Sequence, residues 1–284
     1  MRGIVLMLAA TVAFCIMSAL LKIAEDVSPF KTVLFRFAVG LGLLGLAALW
    51  GKIRLEFFRK GLLFWRGLIG GLGVFIFFLS IVKLGVGKGT VFSYSYPVFA
   101  SIFSGFFLKE RIRPMKWCLI ATAFLGIYCL ATGDIGAEFP ANALGGYELL
   151  AIGGAVCSGI AIVIVKKLHD TDSSYAIFFA QCLVGFWLFV VPANVVADAG
   201  GMSEGVLLLS IGIVAAVGQL LMTEAYRYVT VTTGALLNML VPVFNFALAL
   251  AVFHETFTII EIAGTILVVS SCALVISLDR RQKT

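Results

Sequence analysis

The stretch Gly89-Thr90-Val91-Phe92-Ser93-Tyr94-Ser95-Tyr96-Pro97-Val98-Phe99 returns later in the chain as Gly234-Ala235-Leu236-Leu237-Asn238-Met239-Leu240-Val241-Pro242-Val243-Phe244. Gly, Pro, Val and Phe keep their places after a shift of roughly 145 residues (242 minus 97), about half the chain. The same shift carries Glu110 onto Glu255, Lys22 onto Lys167 and Gly40 onto Gly185. We therefore read a single membrane domain over 1–284 built from two copies, 1–132 and 147–279.

A membrane is implied because 61% of the residues are hydrophobic, only 13% are charged, and the mean hydropathy is +1.09. Apolar runs long enough for a hydrocarbon core of about 30 Å recur at 4–24, 29–50, 62–82, 89–108, 115–131, 147–165, 175–196, 205–225, 231–253 and 257–278. The expected fold is an all-α integral membrane protein of about ten transmembrane helices, five per copy. Period-2 alternation, which a membrane β-barrel requires, is missing from runs such as 207–217. An odd number of crossings per copy forces the second to enter the bilayer inverted, an arrangement characteristic of secondary transporters.

Basic residues set the expected orientation, because short loops rich in Lys and Arg stay cytoplasmic. With the N-terminus inside, Lys52, Arg54, Arg59, Lys60, Arg66, Lys109, Arg111, Arg113, Lys116, Lys166, Lys167, Arg227, Arg280 and Arg281 all fall inside or near the inner face. Lys22, Lys31, Arg36, Lys83 and Lys88 lie on or toward the outer side. The outer loop 132–148 carries Asp134, Glu138 and Glu148 and no basic residue. Both termini are thus expected in the cytoplasm, with the chain in the inner membrane. The net charge of +6 reports topology and contact with anionic lipid; no aromatic-laced basic groove suggests nucleic acid. The first helix resembles a signal peptide but lacks a small-residue cleavage site, so it is read as retained.

Cys15, Cys118, Cys129, Cys157, Cys182 and Cys272 all fall inside spans without CxxC spacing; they are expected to be buried packing residues, with no metal or cofactor. The glycine sets 40-42-45 and 67-70-71-73 are expected to let helices approach closely.

Polar residues inside spans are costly in hydrocarbon and tend to face a bundle interior or a watery cavity. Thr11, Cys15, Ser18 and Lys22 share one helical face, as do Thr90, Tyr94, Pro97, Ser101 and Ser104, and Asn238, Pro242 and Asn245. A proline at matching depth in the fourth and ninth helices removes a backbone donor, which is tolerated where neighbours or cavity water satisfy the freed carbonyl. These stripes predict a central cavity between the halves; interhelical hydrogen bonding is the alternative.

The chain resembles the drug/metabolite transporter superfamily, of the EamA type with two five-helix repeats. The resemblance rests on Arg36-Phe37, Lys83-Leu84-Gly85 to Gly89, Ser93 to Phe99, and Leu108-Lys109-Glu110-Arg111. In the second copy it rests on Gly218-Gln219-Leu220-Leu221-Met222-Thr223, Ala225-Tyr226, Pro242-Val243-Phe244 and His254-Glu255. It spans the whole chain and implies a carrier of small metabolites such as amino acids or their derivatives, often an exporter, working by alternating access. A carrier of larger metabolites such as S-adenosylmethionine, a nucleoside or a vitamin is the other reading. Phe75, Phe78, Tyr94 and Tyr96 could stack on a planar ligand there, although lipid-facing packing explains most phenylalanines.

The candidate cavity residues are Ser18, Arg36, Tyr94, Pro97, Ser101, Gln219, Glu224, Asn238, Pro242 and Asn245. Arg36, whose repeat partner is the neutral Gln181, suits an anionic substrate group, or else snorkels or bonds structurally. Glu224 stands where the resembling motif usually has an aromatic residue; it suits a coupled proton or a cationic group, or else an interfacial ion pair with Arg227. Glu110 and Glu255 are read as helix-end partners. Catalysis is not expected: His254-Glu255 does not extend to HExxH, and Ser158 lies outside a GxSG motif. A non-transporting receptor or structural protein is the remaining alternative.

Overall fold

The structure, a computed structural model, describes residues 1–24, 27–51, 53, 61–132, 145–195, 202–253 and 258–281. The outer-loop residues Asp134, Glu138 and Gly200, the loop residues 52 and 54–60, and His254-Glu255 lie outside the described residues. The helices are α1 (Arg2–Ile23), α2 (Pro29–Leu49), α3 (Gly61–Ser93), α4 (Tyr96–Phe107), α5 (Pro114–Thr132), α6 (Gly146–Leu168), α7 (Ser174–Val195), α8 (Met202–Tyr228), α9 (Val231–Asn238), α10 (Leu240–Phe253) and α11 (Ile259–Arg281). No strand occurs among the described residues. Nine candidate spans there are long and apolar enough to cross a membrane, and the chain is an all-α, multi-pass membrane protein. The 22 residues of α1 illustrate the match: at 1.5 Å per residue they rise about 33 Å.

Helix ends follow local chemistry. Pro29 opens α2 behind Ser28, and Pro97 lies in the first turn of α4, where a missing N–H costs nothing. Thr258 and Glu261 form a reciprocal capping box at the start of α11: the Thr258 N–H donates to Glu261 Oε2 at 2.8 Å, and the Glu261 N–H donates to Thr258 Oγ1 at 3.4 Å.

The fourth expected span is divided. A Cβ on Gly89 would stand 3.1 Å from the Ile81 backbone, whereas eight residues of straight helix separate two positions by about 12 Å. The chain therefore doubles back between Ile81 and Gly89, and a side chain at Gly89 would press on the Ile81 backbone. The returning segment stops at Ser93, turns through Tyr94 and Ser95, and resumes as α4. The ninth span is also divided, α9 ending at Asn238 and α10 starting at Leu240. Ser93 and Asn238 are repeat partners, and each lies four residues before a proline. Pro97 and Pro242 lack the N–H that would bond to those carbonyls, and their rings clash with them.

The described chain forms two compact units, each drawing on both sequence copies: Met1–Phe75 with Ile164–Tyr228, and Ile76–Val163 with Val229–Thr284. In the first unit α1 packs on α8, and α2 packs on α7 and α8. The α2–α7 crossing is reciprocal. A Cβ on Gly40 would meet Cys182 Sγ at 2.7 Å, and one on Gly185 would meet the Phe37 ring at 2.5 Å. Gly40 and Gly185 are repeat partners, and so are Phe37 and Cys182. Gly67 and Gly71 similarly bring α3 against α7, as the small-residue reading expects. Gly42 and Gly45 differ from that reading, since a side chain there would meet open space. Phe75 packs with Phe30 and Phe189 at centroid separations of 5.9 and 5.6 Å, so its ring is engaged within the core.

In the second unit α4 packs on α9, and α5 packs on α11. A Cβ on Gly126 would meet the Gly264 carbonyl, and one on Gly264 would meet the Gly126 carbonyl. Among the cysteines Cys15, Cys182 and Cys272 are buried as expected, whereas Cys118 is exposed on α5 and Cys129 and Cys157 are half-buried. An exposed thiol in a span is compatible with lipid contact, which the burial expectation did not allow for.

Candidate functional site

In the second unit the polar groups gather at the two helix breaks. The Tyr96 hydroxyl donates to the Ala235 carbonyl at 3.3 Å and accepts from Asn238 Nδ2 at 3.0 Å. Cys272 donates through its thiol to the Leu236 carbonyl at 3.3 Å. Side chains thus serve two carbonyls next to the break in the ninth span, where the regular helical ladder is interrupted. Cys272 therefore does more than fill space. Ser95 serves the other break by donating to the Phe92 carbonyl at 2.6 Å.

Several polar atoms here have no hydrogen-bond partner among the described residues: Asn238 Oδ1, Asn245 Oδ1 and Ser101 Oγ, all buried. Tyr94 makes a ring contact with Tyr96 at 6.2 Å, and its hydroxyl has no partner among the described residues. Pro97 is buried and Pro242 half-buried. The residue that meets Asn238 is Tyr96, which lies outside the polar stripe read from the sequence. A depression of about 310 Å³ lies beside Ser101, Gly105, Phe106, Glu110 and Trp117, with mostly apolar walls.

At the other end of α9, Glu110 accepts from the Val231 N–H through both carboxylate oxygens at 3.2 Å, and Thr230 caps the same turn. Next to it Lys116, 5% exposed, forms an ion pair with Asp279 at 2.9 Å and donates to Thr233 Oγ1 at 3.0 Å. The Thr233 hydroxyl donates to the second Asp279 oxygen at 2.7 Å. Sequence reading took Lys116 only as an inner-face charge. The missed signal was Asp279, a carboxylate at the very end of the last apolar span, an expensive placement without a cation beside it.

In the first unit Ser18 is half-buried and donates to the Phe14 carbonyl of its own helix at 2.9 Å, as Thr11 does to Met7. That part of the α1 stripe is locally satisfied. Arg36 reaches across to α8, donating to Gln219 Oε1 at 2.8 Å with its guanidinium carbon 5.8 Å from the Phe14 ring centroid. Arg66, 3% exposed, donates in the same way to Gln181 on α7 at 2.8 Å. Arg66 was absent from the expected site because the sequence reading counted it only among the inner-side charges.

Glu224 accepts from the Ser174 hydroxyl at 2.6 Å and from the Tyr228 hydroxyl at 3.0 Å; these hydroxyls take the place of the ion pair expected with Arg227. Just beyond α6, His169 donates through Nε2 to the Thr223 carbonyl at 2.7 Å. Burial lowers its pKa below the usual histidine range, the bond to Thr223 opposing that shift. Lys166 donates to the Tyr226 carbonyl at 2.9 Å, so α6 and the loop after it close the C-terminal end of α8.

The profile of the EamA-like transporter family matches residues 1–132 and again 146–277. The pseudopaline exporter of Pseudomonas aeruginosa is 29% identical over 292 aligned residues, covering 99% of this chain and 97% of that protein. An S-adenosylmethionine uptake transporter of Rickettsia bellii is 23% identical, covering 89% of this chain and 85% of its own length. A crystal structure matches over 99% of both chains with a TM-score of 0.82 at 17% identity, a likeness of fold. The two family matches fall on the two sequence copies, and the named relatives are transporters. The chain belongs to the EamA-like transporter family.

Proposed function

We propose that this chain is a secondary active transporter that moves a small metabolite, such as an amino acid or a derivative, across the cytoplasmic membrane by alternating access. The observation that carries the reading is the pair of helix breaks at repeat-equivalent prolines, with polar atoms at them left free for a ligand. Discontinuous helices of that kind supply substrate and ion contacts in secondary transporters. In the second unit Tyr94, Ser101, Asn238 and Asn245 are the substrate contacts, and Pro97 and Pro242 keep the helices open. In the first unit Arg36, Gln219 and Ser18 contribute polar contacts, and Glu224 is the carboxylate available to a coupled proton. Export is the favoured direction, in line with the exporter of Pseudomonas aeruginosa. The uptake transporter relative supports a second reading, a larger substrate of the S-adenosylmethionine kind, for which the Tyr94 ring offers a stacking face.

Counterflow into liposomes loaded with amino acids, nucleoside derivatives or vitamins tests the reading. Uptake driven by one loaded class supports it, and no exchange of any class removes it. Both termini are cytoplasmic in this reading, so a cysteine introduced at Ala137 reacts with an impermeant thiol reagent outside intact cells and one at Lys52 does not.

A further inference from the structure

Arg36 and Arg66 are two guanidinium groups in the apolar spans of one unit, and neither has a carboxylate partner among the described residues. Among the described residues each has one hydrogen-bond partner, a neutral glutamine oxygen. The Nε of Arg36 and both Nε and Nη1 of Arg66 are buried without a hydrogen-bond partner. Their helices, α2 and α3, meet α7 at the same turn: a Cβ on Gly40, one turn after Arg36, would meet Cys182 Sγ at 2.7 Å, one on Gly67, next to Arg66, would meet the Ala180 carbonyl at 2.5 Å, and Gln181 between them holds Arg66. A buried charge without a counter-charge is strongly disfavoured. Elsewhere in the chain the buried cation Lys116 has its aspartate. Two cations kept in this state, with donors unused, match an anion that comes and goes.

We infer that Arg36 and Arg66 together form an anion site in the first unit, and that its ligand is an organic acid bearing at least two carboxylates. This rests on the transporter reading and narrows its substrate class. Two charges call for two anionic groups if the loaded site is to be neutral, and the planar guanidinium suits carboxylates. Gln181 and Gln219 fix the orientation of the two guanidinium groups, each using only its Oε1.

The test uses the full chain in lipid nanodiscs, with thermal unfolding followed during titration with citrate, glutarate, acetate, chloride and the neutral glutaramide. Citrate and glutarate are expected to raise the unfolding temperature in a saturable way, acetate less so, and glutaramide not at all. Arg66→Gln and Arg36→Gln should each weaken the citrate response about tenfold or more, the loss of one charge-assisted contact, while Arg66→Lys keeps part of it. If the glutamine variants do not fold, alkylation of Cys182 in the unmodified protein, followed by peptide mass, gives a second readout that citrate should slow. The inference is overturned if neither acid stabilises the protein, if chloride or glutaramide does as well at equal concentration, if Arg66→Gln responds like the parent, or if citrate leaves Cys182 alkylation unchanged. Counterflow of neutral metabolites without acid binding removes this inference and leaves transport standing; acid binding without counterflow of any solute does the reverse.

Discussion

Asn238, the last residue of α9, donates a 3.0 Å hydrogen bond to the hydroxyl of Tyr96, the first residue of α4. One sequence copy thereby holds the break in the other: the same hydroxyl donates to the Ala235 carbonyl of α9. Tyr96 and Tyr94 are two residues apart and chemically identical, yet only the first is tied into the protein.

Tyr96→Phe and Tyr94→Phe should therefore separate stability from transport. Tyr96→Phe removes a structural bond and should lower stability by about 0.5–1.5 kcal/mol. Tyr94→Phe should leave the unfolding temperature unchanged and weaken substrate affinity severalfold, because its hydroxyl is free for a ligand. Equal transport by Tyr94→Phe and the parent, at matched expression, removes Tyr94 from the substrate contacts.

Lys116 and Asp279 should behave as a unit. Removing one partner strands a buried charge, so Lys116→Ala or Asp279→Ala should cost about 3–5 kcal/mol, whereas Lys116→Met with Asp279→Leu should be close to neutral. Thermal unfolding of the two singles and the double gives the coupling directly. A double variant as unstable as the sum of the singles contradicts the pairing.

Side chains grafted onto the reciprocal glycines should force α2 and α7 apart. Gly185→Leu and Gly40→Val should each destabilise by about 1–3 kcal/mol, while Gly42→Ala, which points into open space, should not. The comparison requires only denaturation curves in one detergent.

Acidification should loosen the junction between α6 and α8. His169 has a folded pKa below its unfolded value of about 6.5, so the unfolded state binds the extra proton first. Its contribution is complete above the unfolded value and is lost as the pH falls through the lower folded value. Lys166 and Arg227 beside it oppose protonation, and Glu224 favours it. Unfolding temperatures measured from pH 8 to pH 5 should fall less steeply in His169→Gln than in the parent.

The duplication, the apolar spans and the helix breakers were legible because each depends on local chemistry. Period, length and a proline's missing N–H are properties of a segment, but Pro97 and Pro242 were read as prolines inside continuous spans, and the breaks before them are a finding of the structure. The stripes and the single charges pointed to Asn238 and Arg36, but not to the groups that meet them, Tyr96 and Gln219. Tyr96 was left out of the stripe because a constant 3.6-residue period does not carry across the turn at Tyr94 and Ser95. Lys116 and Arg66 were counted only as inner-side charges because sequence gives depth along a helix and says nothing of what stands opposite. Asp279 and Gln181, distant in the chain, decide that one cation is neutralised and the other is not. The sequence alone thus determined a twofold, all-helical membrane chain, and its interrupted spans came from the structure. Only the tertiary structure decided which buried polar groups satisfy one another, because that outcome depends on distances between segments more than a hundred residues apart, such as the 117-residue separation of Lys116 and Thr233.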